Sequence, residues 1–300
     1  MHDTIAEIRK LAKDRNAVIL AHNYCRGEVQ DAADFTGDSL ELARRATEVE
    51  ADVIVFCGVS FMAETAAILN PTKTVLIPEP SAGCPMADMI TGAQLRGLKA
   101  KHPGAKAVCY VNSTADVKAE CDICVTSGNA EKVMKTFAAD QEILFVPDQH
   151  LGGYVSGKFG RTYELWPGYC PVHARLTAEA IAEARRLAPG APVLVHPECA
   201  KAVRDAADEC LSTGGMCRYA KESSARTIIV GTEEGILHRL RKENPEKRFI
   251  AVGGLVCADM KKITLENLAA ALREMKTRVT VPPETAVPAR RAIDAMLAVG

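Results

Sequence analysis

Short runs of apolar residues recur along the chain and alternate with stretches of helical periodicity. The runs 17–21 and 52–57 are almost entirely apolar, and each stops at a polar residue or a glycine. Strands of this kind are typical of parallel sheets covered on both faces. The stretches 4–14 and 40–47 instead carry apolar residues about one helical turn apart. The pattern therefore predicts an α/β protein built on short parallel sheets.

The same alternation continues through most of the chain. Further strands are predicted at 74–78, 106–111, 122–126, 143–147, 192–195, 226–230 and 248–252. Further helices are predicted at 61–69, 92–101, 130–138, 178–187, 199–206, 216–222, 233–242 and 265–275. The glycines at 152, 153, 157 and 160 predict a loop, and a proline-containing tail, to which no helix is assigned, follows residue 275.

Three stretches share one motif, in which a cysteine is followed by five residues, Ile or Leu, and then Thr. The stretches are 84–91, 170–177 and 257–264, and each Thr precedes a predicted helix that it is suited to cap. The cysteines are 86 (170 − 84) and 87 (257 − 170) residues apart. This period predicts three similar units, each presenting one thiol from an equivalent loop. The thiols are those of Cys84, Cys170 and Cys257.

The repeat also predicts the domain organisation. The predicted bounds are 1–84, 85–170 and 171–257 for the three αβα units, and 258–300 for a C-terminal helix and tail that pack back on the first unit. We expect the units to be arranged with pseudo-threefold symmetry, with the second a shortened version of the others. The first and third units match closely, since each places a histidine 17 residues before a helix-starting hydroxyl residue.

Composition narrows the function classes. The chain has 300 residues, 25% of them charged, and a formal net charge of −1, which argues against a broad surface for nucleic acid or membrane. No apolar run approaches a membrane span. Eleven cysteines without a secretory signal predict a reducing cytoplasm, where thiols serve packing, metal binding or catalysis.

The three repeated cysteines are candidate metal ligands. Three thiols are one short of a closed zinc site, whereas on a cubane iron–sulfur cluster they leave one iron open as a Lewis acid. The alternative is that each of these cysteines, considered alone, is a buried residue of the apolar core. Cys121 and Cys124 form a competing CxxC pair, but a predicted strand sends residues three apart to opposite faces. The other cysteines are interpreted as core residues.

Polar residues cluster where predicted strands end and helices begin, which is the ligand-binding edge of a parallel sheet. His22 and His196 each end the first strand of a unit, and Glu198 is a candidate general base or, alternatively, an acid that favours a helix dipole. Three hydroxyls at helix starts suit carboxylate or phosphate, or serve as simple caps: Ser39, Ser127 and Thr213. Further donors on this edge are Tyr24, Tyr110 and Asn112, with His150 and His173 as weaker candidates.

Taken together, these motifs resemble the quinolinate synthase family, the iron–sulfur enzymes of de novo NAD biosynthesis. The resemblance covers nearly the whole chain. It is carried by the segments 21–24, 28–31, 37–39, 61–64, 82–88, 110–112, 126–127, 167–170, 196–199 and 212–213, and by Cys257.

The resemblance implies three αβα units around a central 4Fe–4S cluster, one per chain, with three cysteine ligands and one open iron. The ligands would be Cys84, Cys170 and Cys257. The implied reaction condenses iminosuccinate with dihydroxyacetone phosphate to quinolinate, phosphate and water. L-Aspartate oxidase or aspartate dehydrogenase is implied as the supplier of iminosuccinate.

The resemblance also implies roles for individual residues. The catalytic residues would be Glu198, Tyr24 and Tyr110. The substrate-binding residues would be His22, Ser39, Tyr110, Val111, Asn112, Ser127, His196, Pro197, Glu198 and Thr213.

Two rival interpretations remain at the level of sequence. One is an aconitase-like hydro-lyase acting on a simple hydroxy acid, from which phosphate release would distinguish a quinolinate synthase. The other is a cluster-bearing sensor, which would need a protein or nucleic-acid partner.

Overall fold

The computed structural model describes residues 2–299 and contains three parallel sheets of four strands each. Every sheet has the same spatial order, in which the unit's second strand is followed by its first, third and fourth. The strands are β1 Ala17–His22, β2 Phe35–Gly37, β3 Val53–Cys57, β4 Thr74–Leu76, β5 Lys106–Tyr110, β6 Ile123–Val125, β7 Ile143–Val146, β8 Glu164–Leu165, β9 Val193–Val195, β10 Glu209–Cys210, β11 Thr227–Gly231 and β12 Arg248–Ala251. The predicted α/β class with three similar parallel units is confirmed.

Helices connect the strands and close the chain. They are α1 His2–Asp14, α2 Gly27–Ala32, α3 Ser39–Glu48, α4 Ser60–Leu69, α5 Gly92–Lys101, α6 Ala115–Ala119, α7 Ala130–Met134, α8 Gln149–Phe159, α9 Ala178–Leu187, α10 Lys201–Asp205, α11 Thr213–Glu222, α12 Ile236–Glu243, α13 Leu265–Glu274 and α14 Pro283–Val299. Among residues 2–299, no helix combines the length and apolar character that a membrane crossing requires.

The three units agree residue by residue at their first two strands. In each unit an aspartate accepts a hydrogen bond, of 2.7–2.9 Å, from the backbone N–H fifteen residues earlier. The pairs are Ile19–Asp34, Ala107–Asp122 and Val193–Asp208. Equivalent positions therefore differ by 88 (107 − 19) and 86 (193 − 107) residues. The second unit has all four strands, so the expectation of a shortened version was wrong.

The predicted helix starts after the cysteine motifs are confirmed. Thr91, Thr177 and Thr264 are N-caps, and each side chain accepts from the backbone N–H three residues on. Between each cysteine and its Thr lies one 3₁₀ turn. The turns are Ala87–Met89, His173–Arg175 and Met260–Lys262. The repeated sequence motif thus folds into the same loop three times.

Two segments differ from the sequence prediction. The glycine-rich stretch forms α8, because Asp148 caps it and Gly152 lets the helix approach the sheet: a Cβ there would lie 2.7 Å from Phe145 and Leu165. The tail forms α14 despite Pro288 inside the helix. A proline removes one intrahelical hydrogen bond, and the burial of an apolar face offsets that loss. That face comprises Ala289, Ala292, Ile293 and Met296.

The C-terminal helices contact two units. Helix α13 packs against α1 of the first unit, as expected. Helix α14 packs mainly against α6 and β6 of the second unit and also touches α4. The expectation that the tail packs on the first unit therefore holds for α13 and was wrong for α14. The bounds of the three units stay a prediction.

The apolar cores are distributed unevenly among the three units. One continuous core joins the first unit, the second unit and the C-terminal helices. The third unit has two cores of its own, on the two faces of its sheet. Its contacts with the other units therefore include many polar side chains, and the candidate site lies among them.

Candidate active site

A cavity of about 340 Å³ lies where the three units meet. Its lining includes twelve of the fourteen predicted site residues: His22, Tyr24, Ser39, Cys84, Tyr110, Asn112, Ser127, Cys170, His196, Glu198, Thr213 and Cys257. Val111 and Pro197 are buried beside it but are not part of the lining. All three units contribute, so the units converge on one site.

The repeat places site residues at equivalent positions. With offsets of 88 and 86 residues between units, equivalent residues form three sets. The first set lies at or directly after the end of each unit's first strand, and the second lies two residues later. The third lies at the start of the next helix or, in the second unit, three residues before it. The sets are His22, Tyr110 and His196; Tyr24, Asn112 and Glu198; and Ser39, Ser127 and Thr213. Tyr110 thus completes the pair of histidines noted in the sequence.

The third set, which we call the hydroxyl ring (Ser39, Ser127 and Thr213), does not cap helices. Helix α3 is capped by Asp38, and helix α11 is capped by Ser212. Two of the hydroxyls have side-chain partners instead: His196 Nε2 lies 3.1 Å from Ser127 Oγ, and Asn23 Nδ2 donates to Thr213 Oγ1 at 3.0 Å. The capping alternative is therefore wrong for Ser39 and Thr213, and their hydroxyls face the cavity.

The three repeated cysteines lie in matching backbone environments. Each sulfur receives backbone N–H groups from two and three residues further along: Met86 and Ala87, Val172 and His173, and Asp259 and Met260. Hydrogen bonds of this kind stabilise thiolates in iron–sulfur sites. Burial nevertheless raises the pKa of Cys84 to about 12 and also raises the pKa of Cys170 and Cys257. A bound cation would favour their thiolate forms.

The two strand-end histidines are neutral donors. The backbone N–H of Tyr24 donates to His22 Nδ1 at 3.1 Å, and that of Glu198 donates to His196 Nδ1 at 3.4 Å. Since Nδ1 accepts, Nε2 carries the proton in the neutral ring. Burial, with the neighbouring imidazole of His196, lowers the pKa of His22 to about 3, and burial lowers the pKa of His196 to about 4. Each ring therefore offers one N–H to an anionic ligand.

Glu198 is the centre of the polar contacts. Tyr110 Oη donates to Glu198 Oε1 at 2.6 Å, and Asn112 Nδ2 donates to the same oxygen at 3.4 Å. His173 Nδ1 lies 2.7 Å from Glu198 Oε2. Burial opposes ionisation, but the hydrogen bonds from His173 and Tyr110 outweigh it and hold the pKa of Glu198 below its usual value. Glu198 is thus a buried carboxylate that accepts from several donors.

A chain of hydrogen bonds links Tyr24 to this carboxylate. Tyr24 Oη lies 2.5 Å from Thr232 Oγ1, and Thr232 Oγ1 lies 2.8 Å from His173 Nε2. Burial and the charge of Glu198 raise the pKa of Tyr24, so its phenol stays protonated and donates. Thr232 then donates to His173 Nε2, and His173 Nδ1 donates to Glu198. We call this chain the proton relay (Tyr24, Thr232, His173 and Glu198).

Sequence reasoning missed several of these residues. Thr232 was not considered, and His173 was only a weak candidate. Glu233 accepts from the backbone N–H of Cys257 at 3.0 Å and pairs with Lys261 at 2.8 Å. The repeat could have found Glu233, because it follows the third strand of its unit as Asp148 does in the second. Nothing in the sequence indicates the contacts of Thr232.

The cysteine pair of the second unit also differs from expectation. Cys121 precedes β6 instead of lying on it, so the two thiols are not sent to opposite faces. Both hydrogen-bond with the thiol of Cys109 beside the buried Lys118. This cluster is separate from the cavity lining. A further group of ligand atoms within 4.8 Å comprises Cys170, His173 and Glu198, and belongs to the cavity itself.

Comparison with known proteins agrees with this geometry. The family model described as Quinolinate synthetase A protein matches residues 6–298. A quinolinate synthase of Dehalococcoides mccartyi is 58% identical over 98% of this chain and 97% of its own length. Those of Geobacter sp. strain M21 and Methanoregula boonei are 52% and 53% identical, over 98% and 97% of this chain and 97% of their own lengths. The chain therefore belongs to the quinolinate synthase family, as its motifs predicted.

Proposed function

We propose that the protein condenses iminosuccinate with dihydroxyacetone phosphate, giving quinolinate, one phosphate and two waters in NAD biosynthesis. The observation that carries this proposal is the meeting of three groups of residues that line or border one cavity: the repeated cysteines, the hydroxyl ring and the proton relay. Two anions must be held together, and protons must move while phosphate and water leave. The supplier of iminosuccinate, L-aspartate oxidase or aspartate dehydrogenase, stays a prediction.

We also propose the cofactor of this site. The family is one of iron–sulfur enzymes, and Cys84, Cys170 and Cys257 fit a 4Fe–4S cluster because each sulfur receives two backbone N–H groups from an equivalent loop. When bound through three cysteines, such a cluster supplies a Lewis acid at the iron that no cysteine holds. Glu233 and Lys261 fix the loop of the third cysteine through the bond to the Cys257 N–H.

The hydroxyl ring and the two histidines would bind the anionic groups of the substrates. Ser39 and Thr213 are the first residues of α3 and α11, whose N-termini favour negative charge. His22 and His196 are neutral and add one N–H each. Asn112 and Tyr110 would orient a carboxylate or the forming ring from the second unit. Each unit therefore contributes a donor to the same pair of anions.

Glu198 and Tyr24 would move protons. A buried carboxylate kept ionised by its donors can accept a proton from a carbon or nitrogen of the substrate. Tyr24 is a protonated phenol at the far end of the proton relay and can donate one to a departing oxygen. After proton transfer Glu198 would hold a proton and Tyr24 would lack one. Return of the proton from Glu198 through His173 and Thr232 to Tyr24 would use the other His173 tautomer, in which Nδ1 accepts from Glu198 and Nε2 donates to Thr232.

An anaerobic assay with purified protein tests the proposal. Incubation with iminosuccinate and dihydroxyacetone phosphate should yield quinolinate and inorganic phosphate in equal amounts. Leaving out either substrate is the control and should abolish both products. Phosphate release without quinolinate, or dehydration of a simple hydroxy acid in place of condensation, would contradict the proposal and favour a hydro-lyase.

A further inference from the structure

A second cavity, of about 640 Å³, lies behind the hydroxyl ring. Asp38 lines both cavities, while Gly128 and Ser212, next to Ser127 and Thr213, line only the second. Residues at or just before the starts of α3, α7 and α11 thus lie along the boundary between the two cavities. Across it the backbone N–H of Gly214 donates to Asp38, which joins the third unit to the first.

Three basic residues at equivalent positions line this second cavity. Arg44, Lys132 and Arg218 each follow a hydroxyl of the ring by five residues. Their spacings of 88 (132 − 44) and 86 (218 − 132) are those of the three units. We call them the basic ring. The fold therefore brings one cation from every unit to the outer side of the hydroxyl ring.

The other charges of the second cavity are largely paired. Arg45 lies 3.1 Å from Glu48, and Arg239 lies 3.5 Å from Glu41. The carboxylate of Asp38 accepts backbone N–H groups. Within residues 2–299, by contrast, the guanidinium groups of Arg44 and Arg218 have no hydrogen bond or ion pair. Arg44 and Arg218 therefore offer unneutralised positive charge to the cavity, while Lys132 has a partner.

A hydrogen-bonded bridge connects the two cavities. Arg239, which lines the second cavity, donates to Asn23 Oδ1 at 3.0 Å. Asn23 donates in turn to Thr213 Oγ1 at 3.0 Å. The orientation of a hydroxyl in the candidate active site is thus tied to a cation of the second cavity.

We propose that the basic ring is an anion-binding entrance to the candidate active site. It takes small multiply charged anions that carry phosphate or carboxylate groups, which guanidinium groups bind through paired hydrogen bonds. This inference rests on the proposed function in one respect, that both substrates are such anions. A local concentration of like-charged cations beside a cavity captures them and raises their rate of entry.

A direct measurement of phosphate binding tests the basic ring independently of catalysis. The probe is inorganic phosphate, titrated by calorimetry into anaerobically purified holoenzyme saturated with quinolinate, so that the active-site cavity is filled. The triple variant Arg44→Met, Lys132→Met, Arg218→Met should lose phosphate binding. The matched control is Lys10→Met, Lys135→Met, Lys221→Met, which removes the same charge from exposed helical or helix-end positions outside both cavities. Equal binding by the two triple variants would overturn the proposal.

Kinetics tests the entrance role. At low ionic strength, kcat/KM for dihydroxyacetone phosphate should fall about tenfold in the ring variant, mainly through KM, and stay unchanged in the control. The difference should vanish near about 1 M salt, where the screening length is about 3 Å. Equal kcat/KM in both variants would overturn the entrance. Absence of quinolinate formation by the unaltered protein would instead reject the proposed function and leave the binding result standing.

Iron content and thermal midpoint establish that both triple variants are folded. If the ring triple variant is not folded, Arg218→Met alone serves both tests, with Lys221→Met on the same helix as its control. Arg218 is exposed, so its replacement leaves the core untouched. Unchanged phosphate affinity and KM in Arg218→Met would then count against the ring.

Discussion

Glu198 shows how a buried charge is kept ionised in this fold. Donors from the second and third units converge on its two oxygens, at 2.6 Å from Tyr110 and 2.7 Å from His173. Its place at the end of a strand could be predicted from the sequence, because polar residues after apolar strands mark a ligand-binding edge. Its contact with His173 could not, because that pairing depends on how the cysteine loop returns to the sheet.

Replacement of Glu198 by Gln tests its role as the proton acceptor. The amide keeps the shape of the side chain but lacks the basic oxygen. Positioned acid–base catalysis contributes about 10²–10⁴ in rate, so quinolinate formation should fall by that factor under anaerobic conditions. The iron content should stay unchanged. Near-normal turnover with full iron would remove Glu198 from proton transfer.

Thr232→Val tests the proton relay. Valine has almost the same shape but cannot bridge Tyr24 and His173, so turnover should fall by about 10²-fold, the lower end of the acid–base range. Thr232→Ser keeps the hydroxyl and is the matched control, expected to retain most activity. Equal turnover of the Val and Ser variants would show that no proton passes through this residue.

At the scale of elements, apolar patterning predicted most strands and helices correctly but failed where packing overrides local preference. Three glycines inside α8 suggested a loop, yet one of them is required for the contact of this helix with β7 and β8. Helix α14 contains Pro288 and is stabilised by burial against two units, which only the folded chain reveals. The capping threonines were predicted because their signal is local.

Replacing two neighbouring glycines of α8 distinguishes the effect of packing on stability from the effect of helix propensity. Gly152→Ala would place a Cβ 2.7 Å from Phe145 and Leu165, whereas Gly153→Ala meets its nearest atom at 3.8 Å. The first change should destabilise the fold by about 1–3 kcal/mol through overpacking. The second should stabilise the helix by about 0.5–1 kcal/mol. Anaerobic urea unfolding measures both, and destabilisation by Gly153→Ala of equal size would contradict this account.

At the scale of the whole molecule, the three copies of one repeated unit supply each group of residues in and beside the candidate active site. Equivalent positions provide the cysteine loops, the strand-end donors, the hydroxyl ring and the basic ring, stacked from one cavity to the next. The period of the cysteines indicated this arrangement in the sequence. The match of Arg44, Lys132 and Arg218 emerged only from the strand register, because insertions and deletions between the units hide it.

The central claim is that three equivalent loops hold one 4Fe–4S cluster between the units. The measurement is the iron and sulfide content of anaerobically purified protein in cysteine-to-alanine variants. The unaltered protein should contain about four irons per chain. Replacing any one of Cys84, Cys170 or Cys257 should remove the cluster, while Cys121→Ala and Cys124→Ala should keep it. A full cluster without Cys257, or a cluster lost with Cys121 or Cys124, would contradict the account.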